Sequence, residues 1–183
     1  MNFLETIFNR DRLSPLQKKS DIEYELHFQT NQIVNKGFEV ISVLKQDDMG
    51  LILYRHFYED TPKLEEHTII LCLRVITKKG IVFPEPILKA FFNDDFSEIE
   101  LADIDIKESV ASRGYGSILL CMLIEIAKNR NVKNITGWIS SVDKNHIDRI
   151  THFYQKHGFE VVLEETDNKI NKIGTLAWRN TNY

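Results

Sequence analysis

The stretch from Ile99 to Leu120 constrains this chain more than any other. It reads as an apolar strand, a short polar loop and the turn Arg113-Gly114-Tyr115-Gly116-Ser117, which opens into the apolar run Ile118-Leu119-Leu120. A helix N-terminus leaves backbone N–H groups without partners and carries a partial positive charge, so it suits an anion. Glycines at such a start let the backbone approach a phosphate with no Cβ in the way. The turn is not a nucleotide P-loop, because no Gly-Lys-Ser/Thr follows. Nor is it a dinucleotide fingerprint, because Leu119 stands where the third glycine would fall.

The rest of the chain is compatible with one domain spanning 1–183. At 183 residues, 43% hydrophobic and 27% charged, it has the length and composition to bury a full core. The formal net charge of −4 argues against nucleic acid as the partner. Cys72 and Cys121 lie in apolar runs and read as buried thiols rather than a disulfide pair. No apolar run approaches the roughly 18 residues of a membrane-spanning helix. The charged start MNFLETIFNRDRLSP does not read as a signal peptide, so the expected location is the cytoplasm.

Taken in order, Phe3, Leu4, Ile7 and Phe8 form a helix-like stripe ending by Ser14-Pro15. Partial alternation at Ile22, Tyr24, Leu26 and Phe28 predicts a strand over 22–34. A hairpin-like turn at Asn35-Lys36-Gly37 leads to a second strand over 38–44. Further strands are expected at 51–58, 67–76 and 81–83, while 88–92 is ambiguous. From Ile99 the pattern becomes strand 99–106, helix 116–129, strand 134–140 and helix 144–157 ending at Gly158. Strands 159–163 and 173–179 close the chain. The fold class is mixed α/β: a β-rich half followed by alternating strands and helices. Trp138 and Trp178 read as core aromatics. The spacing of His146, His152 and His157 is not that of two metal ligands on one helical face, and no metal is expected.

Two motifs in this order resemble the GNAT superfamily of N-acetyltransferases. Ala111-Ser112-Arg113-Gly114-Tyr115-Gly116 is similar to the family's acetyl-CoA signature, Gln/Arg-x-x-Gly-x-Gly/Ala. Phe153-Tyr154-Gln155-Lys156-His157-Gly158-Phe159 is similar to its second cofactor helix and the following strand. The resemblance covers about 99–163. It implies a central, mostly antiparallel mixed sheet with flanking helices, splayed where acetyl-CoA binds as acyl donor. The β-rich residues 1–98 would form the acceptor side. The chain departs from the signature at Ala111, and Ile147 and Ile150 replace an asparagine and a small residue common in the second helix.

The resemblance implies transfer of acetyl from acetyl-CoA to a primary amine, directly and through a tetrahedral intermediate. Backbone N–H groups of Arg113–Ser117 would take the pyrophosphate, and Ala111 and Ser112 complete that loop. The strand end Ile104-Asp105-Ile106 would pair its backbone with the pantetheine amides, and one of its N–H groups would polarise the thioester carbonyl. Tyr154 matches the family's general acid toward the thiolate; alternatively it is a helix aromatic on the buried face. Glu100 stands where some members carry a basic glutamate. On a regular strand it would share a face with Ala102, Ile104 and Ile106, opposite Asp103 and Asp105. It reads either as a base in an apolar cleft or as an outward-facing acid. The acidic cluster Asp94, Asp95, Glu98, Glu100, Asp103 and Asp105 would attract a cationic amine or simply face water. An acyl-CoA-binding module without turnover, or an interaction protein built on the fold, are the alternatives. A homodimer is compatible with the resemblance. The sequence does not identify the acceptor.

Overall fold

A computed structural model describes residues 12–16, 21–164 and 171–181. The helix expected near the N-terminus, at 2–10, lies outside the described residues. Among the described residues, ten strands and three α-helices follow one another in a single sheet-based assembly. They are β1 (Arg12–Ser14), α1 (Ile22–Asn35), β2 (Glu39–Gln46), β3 (Met49–His56), β4 (Thr68–Thr77), β5 (Gly80–Phe83), β6 (Ile87–Phe92) and β7 (Glu98–Asp105). Then come α2 (Tyr115–Asn129), β8 (Asn134–Ser140), α3 (Ile147–Lys156), β9 (Glu160–Leu163) and β10 (Lys172–Arg179). Short 3-10 turns occupy Glu108–Val110 and Ser141–His146.

The sheet runs β2-β3-β4-β6-β7-β8-β10-β9, with β5 and β1 branching from the end of β4 at Ile76–Thr77. Every pair is antiparallel except β7–β8. The expected mixed, mostly antiparallel sheet is therefore present. Alternation along β3 and β4 sorts side chains to two faces. Leu51, Leu53, Leu71, Leu73 and Val75 join the larger core with Leu119, Leu120 and Leu123 of α2. Ile52, Tyr54, Cys72 and Ile76 join Ile22, Leu26 and Ile33 of α1. The helices α1 and α2 thus cover opposite faces, and Ile147, Ile150 and Phe153 of α3 pack on the α2 side.

The strand expected over 22–34 is a helix. Asp21 caps it by accepting from the Tyr24 N–H at 2.9 Å. The residues it buries, Ile22, Glu25, Leu26, Gln29 and Ile33, recur at helical spacing. Two of them are polar, which hid the period: alternation at Ile22, Tyr24, Leu26 and Phe28 was easier to see than a stripe interrupted by Glu25 and Gln29. The turn at Asn35-Lys36-Gly37 is accordingly the end of α1, not a hairpin. Gly37, at φ 80°, donates its N–H to Val34 O at 2.9 Å, and Phe38 donates to Ile33 O at 3.3 Å. Left-handed glycine just past a helix closes it in this manner.

Beneath α1 lies a polar chain. Arg74 Nε donates to Glu85 Oε1 at 2.7 Å, Tyr54 Oη donates to Glu85 Oε2 at 2.8 Å, and Arg74 Nη1 donates to Gln29 Oε1 at 2.9 Å. Burial, with Glu85 beside it, holds the Tyr54 phenol far above the usual range, and burial raises the neighbouring Cys72 thiol to about 11. Two expectations of burial need correction. Cys72 is buried but Cys121, on the outer face of α2, is exposed. Trp178 is buried whereas Trp138 is 46% exposed, because β8 turns that side chain to the face that α2 does not cover.

Candidate functional site

The site is organised by the place where β7 and β8 part. Their parallel ladder pairs Glu98 with Asn134, Ile99 with Ile135, Glu100 with Thr136 and Leu101 with Gly137, and then stops. Beyond it, Ala102–Asp105 have no partner on β8, although Asp103–Asp105 still pair with Ile87–Lys89 of β6. Gly137 permits the last close approach: a Cβ there would lie 2.9 Å from the Leu101 carbonyl oxygen. The splay expected at this point is present, and the free edge of β7 offers backbone groups to an extended ligand.

The sequence Arg113–Ser117 forms the start of α2 next to that gap. Gly114 is the N-cap residue at φ 85°, a left-handed conformation that side chains resist, and no side chain caps the helix. Ile118 N–H is the first to bond within the turn, to Gly114 O at 3.1 Å. The N–H groups of Tyr115, Gly116 and Ser117 are therefore left outside the helical ladder. Arg113 and Ser112 are exposed, and Ala111 is partly exposed. Space at Gly116 is tight: a Cβ would stand 3.1 Å from Ile106 Cδ1 and 3.4 Å from Phe153 Cζ. Tyr115 points the other way; it is 3% exposed, and its hydroxyl donates to Met49 Sδ at 3.6 Å. It contributes its backbone to the loop and its ring to the core.

A β-bulge changes which residues of β7 look together. Leu101 faces Ala90 and Asp103 faces Lys89, so Ala102 is the extra residue. The alternation flips there. Glu100 shares the open face with Asp103 and Asp105, while Ile104 and Ile106 join Ile99 and Leu101 at the α2 core. This corrects the placement of Glu100 on one face with Ile104 and Ile106. It is exposed and does not point into an apolar cleft.

Tyr154 packs edge-on against Phe153 and Phe159, with ring centroids 5.1 and 5.5 Å away. Burial raises its pKa well above the usual phenol value, and Asp103 and Asp143 add to the rise. The phenol is thus held protonated. Asp103 is itself raised, first by partial desolvation and then by Asp105, with Lys89 opposing. A link absent from the sequence reading joins α3 to α2: His157 Nε2 lies 2.9 Å from Ser117 Oγ, and its Nδ1 lies 3.7 Å from Cys121 Sγ. The i, i+4 spacing of Ser117 and Cys121 on α2 was the available signal.

Residues 87–159 match the model of the acetyltransferase (GNAT) family. That segment is similar to GNAT acetyltransferases. The Bacillus subtilis protein YocC is 35% identical over 91 residues, half of each chain, so the chain spans about half the length of that curated relative. The IAA acetyltransferase of Bacillus cereus superposes with a TM-score of 0.50 at 16% identity, covering 71% of this chain and 99% of that one. A GNAT acetyltransferase of Elizabethkingia anophelis with acetyl-CoA bound gives a TM-score of 0.49 at 14% identity, covering 74% and 100%. The Bacillus cereus likeness is one of fold. Among the described residues no helix is long and apolar enough to cross a membrane.

Proposed function

We propose that the chain is an N-acetyltransferase that moves acetyl directly from acetyl-CoA to a primary amine. The observation that carries this reading is the parallel ladder ending at Leu101–Gly137 beside the uncapped start of α2. A free strand edge and a set of unbonded N–H groups suit the two chemistries of the donor, amide-bearing arm and pyrophosphate.

Acetyl-CoA would supply the activated acyl group as a thioester. The N–H groups of Tyr115, Gly116 and Ser117, with Arg113 beside them, would hold the pyrophosphate. Because Ala111 brings no polar side chain, backbone carries most of that task. Backbone groups of Ile104, Asp105 and Ile106 would orient the pantetheine arm and aim one N–H at the carbonyl oxygen, where negative charge grows during attack. Tyr154, kept protonated by its surroundings, would give its proton to the departing thiolate. The amine must lose a proton. Asp103 and Glu100 both lie on the open face of β7 as acceptors for it, and Asp103 is the one electrostatically coupled to Tyr154.

The test is calorimetric titration with acetyl-CoA, followed by thiol release in the presence of a panel of amines. No binding of acetyl-CoA overturns the reading. Binding without amine-dependent release would favour a module that holds acyl-CoA without turnover, a reading to which the apolar Ala111, Ile147 and Ile150 lend support.

A further inference from the structure

On the flank of β7 away from β8, the β4–β5 hairpin and the turn after β7 enclose a groove of about 500 Å³. Lys78, Lys79, Lys107 and Arg113 line it, with Asp48 as the single carboxylate among the described residues. Asp48 is already ion-paired with Lys78. The chain as a whole carries 27 acidic residues against 23 Lys and Arg, so this concentration of cations runs against its own composition. Like charges gathered in a concavity repel one another and focus a positive field, which an anion relieves. The wall is partly apolar: Phe83 is 54% exposed there. An apolar wall under a ring of cations fits an organic anion better than a bare ion.

The groove's place in the fold says which substrate it serves. Its lining comes from the β2–β3 turn, the β4–β5 hairpin and the segment 107–113. Nothing in the lining comes from β8 or α3, which border the splay on the donor side. Lys107 directly follows Ile106, so the groove begins one residue beyond the strand end assigned to the thioester. An amine reaching that strand end from the β5 side would lay the rest of its molecule in the groove.

We propose that this groove holds an anionic group, a carboxylate or a phosphate ester, carried by the same molecule as the reacting amine. The inference rests on the acyl-transfer reading and adds the acceptor's class to it. Arg113 serves at the boundary, facing the donor's phosphates on one side and the acceptor's anion on the other. Lys78 and Lys79, at an exposed hairpin turn, serve the acceptor alone.

The experiment has three arms, run on the full chain and on the Lys78→Ala/Lys79→Ala and Lys79→Gln variants, with circular dichroism confirming the fold. First, acetyl-CoA is titrated by calorimetry; its affinity should change by less than about twofold in either variant. Second, inorganic phosphate is titrated into CoA-saturated protein; binding should be detectable and should weaken at least tenfold in the double variant. Third, thiol release is followed with amino acids paired with their carboxamides, and with an amino sugar paired with its phosphate ester. The anionic member should show a KM at least tenfold lower, and the double variant should erase that difference. Donor affinity falling together with the lysines would assign the groove to the coenzyme's own phosphates and overturn the proposal. So would phosphate binding indifferent to the lysines, or equal turnover of charged and neutral acceptors. Absence of any acetyl-CoA binding to the wild-type chain is the distinct result that removes the acyl-transfer reading and this assignment with it.

Discussion

His157 and Ser117 tie the two helices of the GNAT segment together: the ring Nε2 and the hydroxyl oxygen are 2.9 Å apart, across the junction of α3's C-terminal cap and α2's first turn. Ser117 also contributes one of the three N–H groups left outside the α2 ladder. The position of the uncapped α2 start is thereby coupled to the helix that carries Tyr154.

Burial, and then Lys156, lower the His157 pKa below its ordinary 6.5. The neutral ring is favoured in the folded chain, so between the folded pKa and 6.5 the unfolded chain binds more proton. Stability contributed by His157 is therefore present above pH 6.5 and is lost as pH falls through that window. Thermal melts from pH 7.5 to 5 should show a shallower acid decline for His157→Gln than for wild type. An unchanged slope would show that other groups dominate.

Tyr154→Phe should lower the rate of thiol release by about 10- to 100-fold, the range expected for losing a positioned proton donor. Acetyl-CoA affinity should stay within twofold, because no hydrogen bond of the Tyr154 hydroxyl is seen among the described residues. The raised pKa keeps the phenol protonated past pH 10, so the alkaline limb of the rate profile should not come from this residue. The pH–rate profile of the wild-type chain checks this directly.

Asp103 and Glu100 separate by their effect on the acid limb. With the Asp103 carboxyl raised above its usual value, the rate should climb with pH through a window higher than that of an ordinary aspartate. Asp103→Asn should abolish that limb and Glu100→Gln should leave it in place. The opposite pattern would make Glu100 the proton acceptor.

Breaking the polar chain beneath α1 should be costly. Glu85→Ala leaves the Arg74 guanidinium, whose side chain is 15% exposed, without its carboxylate, and the Tyr54 hydroxyl without its acceptor. Loss of one partner of a mostly buried ion pair costs about 3–5 kcal/mol. Urea denaturation should show the lower midpoint with an unchanged m-value.

The stretch from Ile99 onward was legible because its signals are local. A glycine turn before an apolar run places α2 to within a residue of its observed start, and β8 spans the residues expected of it. What escaped was set by tertiary context. Glu25 and Gln29 are buried polar residues, bonded to each other along α1 and, through Gln29, to Arg74 of β4, so α1 lacked an apolar stripe. The extra residue at Ala102 is visible only against β6, and it reverses every assignment of face beyond it. Lys78, Lys79, Lys107 and Arg113 are scattered over some thirty-five positions and meet only through the β4–β5 hairpin.

The parting of β7 from β8 after Leu101–Gly137 also makes this an unfinished sheet. An interior seam with no pairing strand is the kind of edge that other strands seek out. A ligand that completes the seam should do for the folded chain what a missing strand would do. If acetyl-CoA is that ligand, the amides of β7 beyond Leu101 should slow in hydrogen exchange when it is added, those of β3 and β4 should not, and the chain should resist aggregation best with acetyl-CoA in excess.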